Sequence, residues 1–386
     1  MYDMKRFDFH MSAKLLFGEG ELKKLGEELA KMNVTKVLVV TDNGLAGTEV
    51  FQSVCNQLDT AGIHYVKFTE VEPNPTIRMM DKGAIIYKNE GCDAVIGVGG
   101  GSSMDTAKGI AVVVSSGGTV KEYCGAFKIK NQPAPIILIP TTTGTGSETS
   151  WHCSVKDEET HFKLSIRSNL IVPALTILDP VLVASLPPRL VAETGMDALS
   201  HLFESYTSTN TSRFMDMFAE EGIKCIGSSI RQFYANRKNL KAAANMQYAA
   251  MLGGITISHA RTGAVHALAR PIGGQFGVSH GLAISIMLPH VMQYSWIACP
   301  EKYKFAAEAL GENIGGLSLN EAAQKAIEAV RQLQKDLGLP RTLSEVGVTE
   351  ESIPSLAYDA VKTGSAVFNP RVVGQKDLEC ILNSAL

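Results

Sequence analysis

No two of the seven cysteines, at positions 55, 92, 124, 153, 225, 299 and 380, stand at a CxxC or other paired spacing. That excludes the disulfide framework of small secreted domains, and an odd, unpatterned set reads as belonging to a reducing compartment. The opening stretch, "MYDMKRFDFHMSAKLLF", lacks the apolar core of a signal peptide. No apolar run approaches the ~18 residues that cross a bilayer. Neither sign of charge dominates: 36 Lys and Arg against 39 Asp and Glu leave −3, so no basic field favours nucleic acid. Internal repeats and low-complexity linkers are also missing. A soluble, cytoplasmic protein with no nucleic-acid or membrane partner is expected.

The 386 residues suffice for two domains at roughly 100–200 residues each. A hydrophobic share of 45% and a charged share of 19% make an ordinary globular balance. The 35 glycines cluster, which suggests backbone contacts to a ligand.

The first half alternates short β-branched runs with helical patterns. "KVLVVTD" (36–42), "HYVKF" (64–68), "CDAVIGVGG" (92–100), "APIILIPTT" (134–142) and "LTILDP" (175–180) read as strands, and "GELKKLGEELAKM" (20–32) as a helix. Such alternation predicts a parallel α/β sheet. After Pro187-Pro188 the apolar residues recur at helical spacing. In "EAAQKAIEAVRQLQKDLG" (321–338), Ala323, Ile327, Val330, Leu333 and Leu337 share one face. The expected organisation is a Rossmann-like α/β nucleotide-binding domain over residues 1–187 and an all-helical domain over 188–386.

In "AVIGVGGGSSMDTAKGIAVVV" (94–114) an apolar strand runs into Gly99-Gly100-Gly101-Ser102-Ser103 and then a helix. This arrangement suits a pyrophosphate, because glycines admit close backbone approach and the helix start offers N–H groups and a positive dipole end. It is not GxGxxG, and a tight turn with a serine cap has the same pattern. "PTTTGTGSETS" (140–150) is a second polar loop after a strand, able to grip a ribose or nicotinamide. Asp42 ends the first strong strand. A carboxylate there accepts from a ribose 2′-hydroxyl and repels a 2′-phosphate, favouring NAD over NADP; Asp42-Asn43-Gly44 also reads as a plain turn.

"GMDALSH" places Asp197 and His201 at i and i+4, on one helix face with Cβ atoms ~5–6 Å apart. His266 falls in a helical pattern that Pro271 is expected to end. His280 follows Ser279, an expected N-cap. The glycines between the two histidines allow a reversal that brings them together. Three imidazoles and a carboxylate suit Fe(II), zinc or a similar ion.

Taken in order, "GGGSSMDTAK", "PTTTGTGSE", "GMDALSHLFESY", "VHALARPIGGQFGVSHG" and "LPHV" resemble the iron-containing, metal-dependent alcohol dehydrogenase family, from "FGEGEL" (17–22) to "FNPR" (368–371). The resemblance implies a dehydroquinate synthase-like architecture with a cleft between two domains, and metal ligands at Asp197, His201, His266 and His280. It implies NAD(H) contacts from Gly99, Gly100, Gly101, Ser102, Asp42, Asp105, Thr141, Thr142, Thr145, Lys163 and Leu178. Fe(II) is the metal it implies first, with zinc the alternative. The activity implied is hydride transfer between a short-chain alcohol or aldehyde and the nicotinamide, by a homo-oligomer. A dehydroquinate synthase-like lyase and a non-catalytic nucleotide-binding relative are the rival readings.

One position departs from the family. Where its members usually show "VHxxAHxLG", this chain has "VHALARPIG", with Arg270 in place of a histidine often assigned a proton. Arginine does not deprotonate in this range. With "SHARTGAVHALAR" (258–270) laid on one helix at ~100° per residue, His259 lies ~20° and Arg270 ~40° from His266, while Arg261 lies ~140° away. That stripe makes Arg270 a candidate for an anionic substrate tail and His259 a candidate proton relay, together with His152 after the threonine loop.

Overall fold

The computed structural model describes residues 6–160 and 162–386, so the first five residues of the opening stretch lie outside it. The chain divides into two compact units, residues 10–186 and residues 187–386, and Phe7 and Phe9 pack with the second.

In the first unit the strands are β1 (Lys14–Phe17), β2 (Lys36–Asp42), β3 (His64–Val71), β4 (Ala94–Gly99), β5 (Gly125–Ala126), β6 (Ile136–Pro140), β7 (His152–Lys156), β8 (Lys163–Arg167) and β9 (Leu175–Leu178). The helices are α1 (Leu25–Lys31), α2 (Asn43–Ala46), α3 (Glu49–Thr60), α4 (Ile77–Glu90), α5 (Gly101–Ser116) and α6 (Pro180–Val183). Six strands form a parallel sheet in the order β1-β9-β6-β4-β2-β3. Successive residues of a strand face opposite sides, and here both sides are buried. Val37 and Val39 join a cluster with α1 and α3, whereas Leu38 and Val40 join one with α4 and α5. All five strands expected from the sequence are present. Three features were not expected: the edge strand β1, a 3-10 turn at Glu21–Lys24 that divides the 20–32 helix, and a small second sheet in the order β5-β8-β7. In that sheet β7 and β8 run antiparallel.

Among its described residues the second unit holds helices and no strand: α7 (Pro188–Thr207), α8 (Arg213–Ala235), α9 (Leu240–Ala260), α10 (Ala264–Phe276), α11 (His280–Ser295), α12 (Pro300–Ala309), α13 (Leu319–Asp336), α14 (Ile353–Lys362) and α15 (Gln375–Asn383). The face of α13 expected to be apolar is buried, from Ala323 to Leu337. α7 is buried almost all round from Val191 to Thr207, so its polar side chains must find partners inside.

Two expectations fail here. Pro271 does not end its helix: α10 continues to Phe276 and closes on Gly277 in the left-handed conformation. Packing of α10 against α11 and α14 outweighs the one backbone hydrogen bond a proline removes. Residues 258–270 are also not one helix. α9 stops at Ala260, Arg261 takes φ +75°, and α10 begins afresh at Ala264. Ser205, Ser208 and Asn210, around the C-terminus of α7, donate to the carbonyls of Arg261 (3.4 Å), Ala260 (2.6 Å) and His259 (2.8 Å), and these bonds hold the break in place. Within the described residues all seven cysteines are free thiols, and no helix is long and apolar enough to cross a membrane.

Candidate functional site

One stripe of α7 organises the helical unit. Glu193, Asp197, His201 and Glu204 recur at spacings of four, four and three residues, so they lie within roughly 80° of arc. All four are buried. Asp197 and His201 therefore share a face, as their spacing predicted. The Oδ1 atom of Asp197 stands 3.7 Å from His201 Nε2, 3.6 Å from His266 Nε2 and 3.8 Å from His280 Nε2.

These separations are too long for hydrogen bonds. They are close to the edges, roughly 3.4 Å, of a tetrahedron whose corners lie about 2.1 Å from a central divalent ion. Asp197 Oδ1 and His266 Nε2 are buried and have no hydrogen-bond partner. Ligand atoms of Asp197, His201 and His266 all lie within 4.8 Å of one another. The donor set thus fits a metal ion of the Fe(II) or zinc kind. Burial alone would raise the Asp197 carboxyl, but the imidazoles of His201, His280 and His266 outweigh it and hold the group well below the usual carboxylate range. Burial would likewise lower His266, yet Glu204 and Asp197 push it up to about 9.

Glu204 was not singled out from the sequence. Its Oε1 accepts from the backbone N–H of Gly263 (2.9 Å) and of Val265 (2.8 Å), and its Oε2 is hydrogen-bonded to His266 Nδ1. Glu193 fastens the start of α11, beside His280. It accepts from Ser279 Oγ at 2.6 Å and from Arg189 Nε at 2.7 Å. Ser279 occupies the N-cap position of α11 as expected, but its hydroxyl makes no capping bond and goes to Glu193 instead. A Cβ at Gly281 would lie 2.4 Å from the Glu193 carbonyl oxygen, so only glycine lets α11 approach α7 here. The sequence does carry a signal for both glutamates: each falls on the ligand face of α7.

The other catalytic candidates are placed as follows. Arg270 is half-buried, one turn after His266 on α10. His259 closes α9 instead of extending the His266 stripe; its ring stacks on Phe9 at 4.9 Å and its Nδ1 is 2.8 Å from the Ile255 carbonyl. His152 opens β7 in the α/β unit.

In that unit the glycine loop and the threonine loop meet. Thr141 N–H donates to the Gly99 carbonyl at 3.0 Å. Gly99 takes φ +140°, and a Cβ on Gly101 would come within 2.9 Å of the Thr145 methyl. The N-cap of α5 is Gly100, with no side-chain capping bond, which sets aside the serine-capped turn. Thr142 Oγ1 and Thr143 Oγ1 are buried without hydrogen-bond partners. A bare helix start, a surface kept open by glycines and unpaired hydroxyls fit a phosphate-bearing cofactor. Ser102 lies in the first turn of α5. Asp105 accepts from Ser147 Oγ (2.6 Å) and Ser154 N–H (2.8 Å), which fastens the threonine loop. Lys108, another residue the sequence did not reveal, is fully buried and donates to the carbonyls of Ser147 (2.6 Å), Ser150 (2.9 Å) and His152 (2.9 Å). Burial pushes its ammonium below the usual range. Asp42 caps α2 by accepting from Leu45 N–H at 2.9 Å. Lys163 Nζ is 3.3 Å from Asn74 Oδ1, and Leu178 is buried at the end of β9.

Two family models match the chain: the iron-containing alcohol dehydrogenase model over residues 12–180 and the C-terminal model of the Fe-containing alcohol dehydrogenase family over residues 191–386. The chain is 38% identical to a 1,3-propanediol dehydrogenase of Klebsiella pneumoniae over 383 residues, covering 99% of each chain. A crystal structure of 1,3-propanediol oxidoreductase matches with a TM-score of 0.97 and 37% identity, over 99% of this chain and 100% of that one. A sulfoacetaldehyde reductase from Bifidobacterium kashiwanohense, solved with NAD+, matches with a TM-score of 0.90 and 25% identity, over 99% of both chains.

Proposed function

The chain belongs to the iron-containing alcohol dehydrogenase family, and from that premise we propose an NAD(H)-linked, metal-dependent oxidoreductase that interconverts a short-chain alcohol and its aldehyde. The observation that carries this reading is the set of three imidazole nitrogens 3.6–3.8 Å from one unpartnered Asp197 oxygen.

Asp197, His201, His266 and His280 would hold the metal. When bound, that ion supplies Lewis acidity to a substrate oxygen, while the nicotinamide supplies or accepts the hydride. The protein provides position and burial. Glu204 and Glu193 fix two of the ligand-bearing segments. The Gly99–Ser102 backbone and the hydroxyls of Thr141, Thr142 and Thr145 would receive the pyrophosphate and ribose. Asp42 uses Oδ1 on Leu45 N–H, and its second oxygen would select an unphosphorylated ribose.

Arg270 points to the substrate class. It stands one helical turn after a metal ligand, and a guanidinium there pairs with a carboxylate, sulfonate or phosphonate through two parallel bonds. A short aldehyde or alcohol with an anionic tail is the substrate this favours. The sulfoacetaldehyde reductase relative is named for such a compound. Arg270 cannot accept a proton, and His259 has lost the shared stripe that recommended it, so His152 is the candidate relay. The oligomer expected of the family and a cytoplasmic location complete the reading.

The test is a panel of two- to four-carbon aldehydes, neutral and anionic, assayed with NADH after reconstitution with Fe(II) or zinc. Arg270→His should lower kcat/KM for succinic semialdehyde relative to propanal by roughly ten-fold or more, the worth of a charge-assisted pair. A wild type that already prefers neutral aldehydes, with a ranking unmoved by Arg270→His, overturns the anionic-tail assignment. No NADH turnover with any aldehyde overturns the dehydrogenase reading.

A further inference from the structure

We infer that Glu204 is the residue that makes His266 a ligand: it sets the tautomer of that imidazole and, with the same carboxylate, caps the helix that carries it. The inference rests on the metal centre proposed above.

Gly263 is the N-cap of α10 and has no side chain to satisfy the N–H groups of the first turn. Glu204, on α7, supplies the missing acceptor. Its Oε1 takes the N–H of Gly263 and that of Val265, two positions into the helix. A carboxylate in this place also meets the positive end of the helix dipole. Its other oxygen, Oε2, faces His266 Nδ1. A carboxylate only accepts, so Nδ1 carries the proton of this contact and Nε2 is the nitrogen left to give its lone pair to a metal, which displaces any proton held there. That lone pair is the one facing Asp197 Oδ1, and Nε2 has no hydrogen-bond partner of its own. Glu204 and His266 are both buried, so bulk water is not available to reset either the proton or the ring.

The two jobs separate in Glu204→Gln. The amide oxygen still accepts from Gly263 and Val265, so the cap survives. The amide nitrogen now points a donor at Nδ1, which forces the proton onto Nε2, where it blocks coordination. The experiment uses the full chain stripped of metal with a chelator, then titrated with Zn(II) against a chromophoric chelator. A melting curve of each metal-free protein is recorded alongside. Glu204→Gln should melt within a few degrees of wild type yet bind Zn(II) about 10–100-fold more weakly, the usual cost of losing such a partner. In zinc-loaded wild type labelled with 15N-histidine, His266 should coordinate through Nε2 and carry a hydrogen-bonded proton on Nδ1. A folded Glu204→Gln with unchanged Zn(II) affinity overturns the inference, and so does His266 bound through Nδ1. If Glu204→Gln does not fold, the 15N spectrum of the wild type decides alone. Failure of the wild type itself to bind Zn(II) sinks the metal centre and this inference together, whereas a binding wild type with an indifferent Glu204→Gln sinks only the inference.

Discussion

The two units make their binding-ready atoms from opposite materials. In the α/β unit they are backbone amides, threonine hydroxyls and a surface left bare by glycine, where Gly101 lies under Thr145. In the helical unit they are long side chains thrown together from α7, α10 and the start of α11. A site of the first kind is damaged by adding atoms, and one of the second kind by removing them. Each unit also has a buried residue that fastens its site without being a ligand: Lys108 ties down the 147–152 segment, and Glu204 ties down residues 263–266.

The largest effect should come from deletion in the helical unit. Asp197→Ala removes the oxygen common to all three imidazole separations. Metal content, read by mass spectrometry, should fall to background, and kcat/KM should drop roughly a thousand-fold or more, about 4 kcal/mol of transition-state stabilisation. NADH binding should stay near wild type. A variant that keeps its metal breaks the comparison on the helical side. Addition in the α/β unit should rank second. Gly101→Val puts a Cβ within 2.9 Å of the Thr145 methyl, and overpacking of about 1–3 kcal/mol should weaken NADH binding by at least several-fold in a fluorescence titration while leaving bound metal unchanged. Unaltered NADH affinity would mean that the loop is not the cradle. The smallest effect sharpens the role of one acid. Asp42→Asn keeps an acceptor for Leu45 N–H but loses the charge, so the NAD-to-NADP ratio of kcat/KM should narrow several-fold, within the range of a single polar contact, with no change in melting temperature. A constant ratio would leave Asp42 as the cap of α2 alone.

Much of this arrangement was legible in the sequence, and the gaps have physical causes. β2, β4, β6 and β9 were readable because both faces of each are buried, giving continuous apolar runs bounded by loop residues, while β3, a half-exposed edge strand, was readable from its aromatic and β-branched residues. β1 and the β5-β8-β7 sheet were not, since their short strands are largely half-exposed and lack the continuous buried run that marks β6 and β9. Asp197 and His201 were found as a local helical pair. Glu204 acts on residues about sixty positions away, and Lys108 on carbonyls about forty away, so neither has a local pattern to betray its partners. The break at Arg261 was hidden for another reason. A non-glycine residue at φ +75° is disfavoured locally and persists because Ser205, Ser208 and Asn210 hold its surroundings. Pro271 misled in the opposite direction, because packing retained a helix that local chemistry would stop.

The borrowed cap on α10 has a consequence for how the protein folds. A 13-residue helix is marginal by itself, and this one lacks a side-chain acceptor at its start. Its first turn is completed only when α7 arrives with Glu204, which closes a loop of about sixty residues and costs several kcal/mol of chain entropy before any contact repays it. Asp197 and His201 are neighbours as soon as α7 coils, but His266 joins them late. The nascent chain therefore presents only a two-ligand site, and tight retention of a metal belongs to the packed unit.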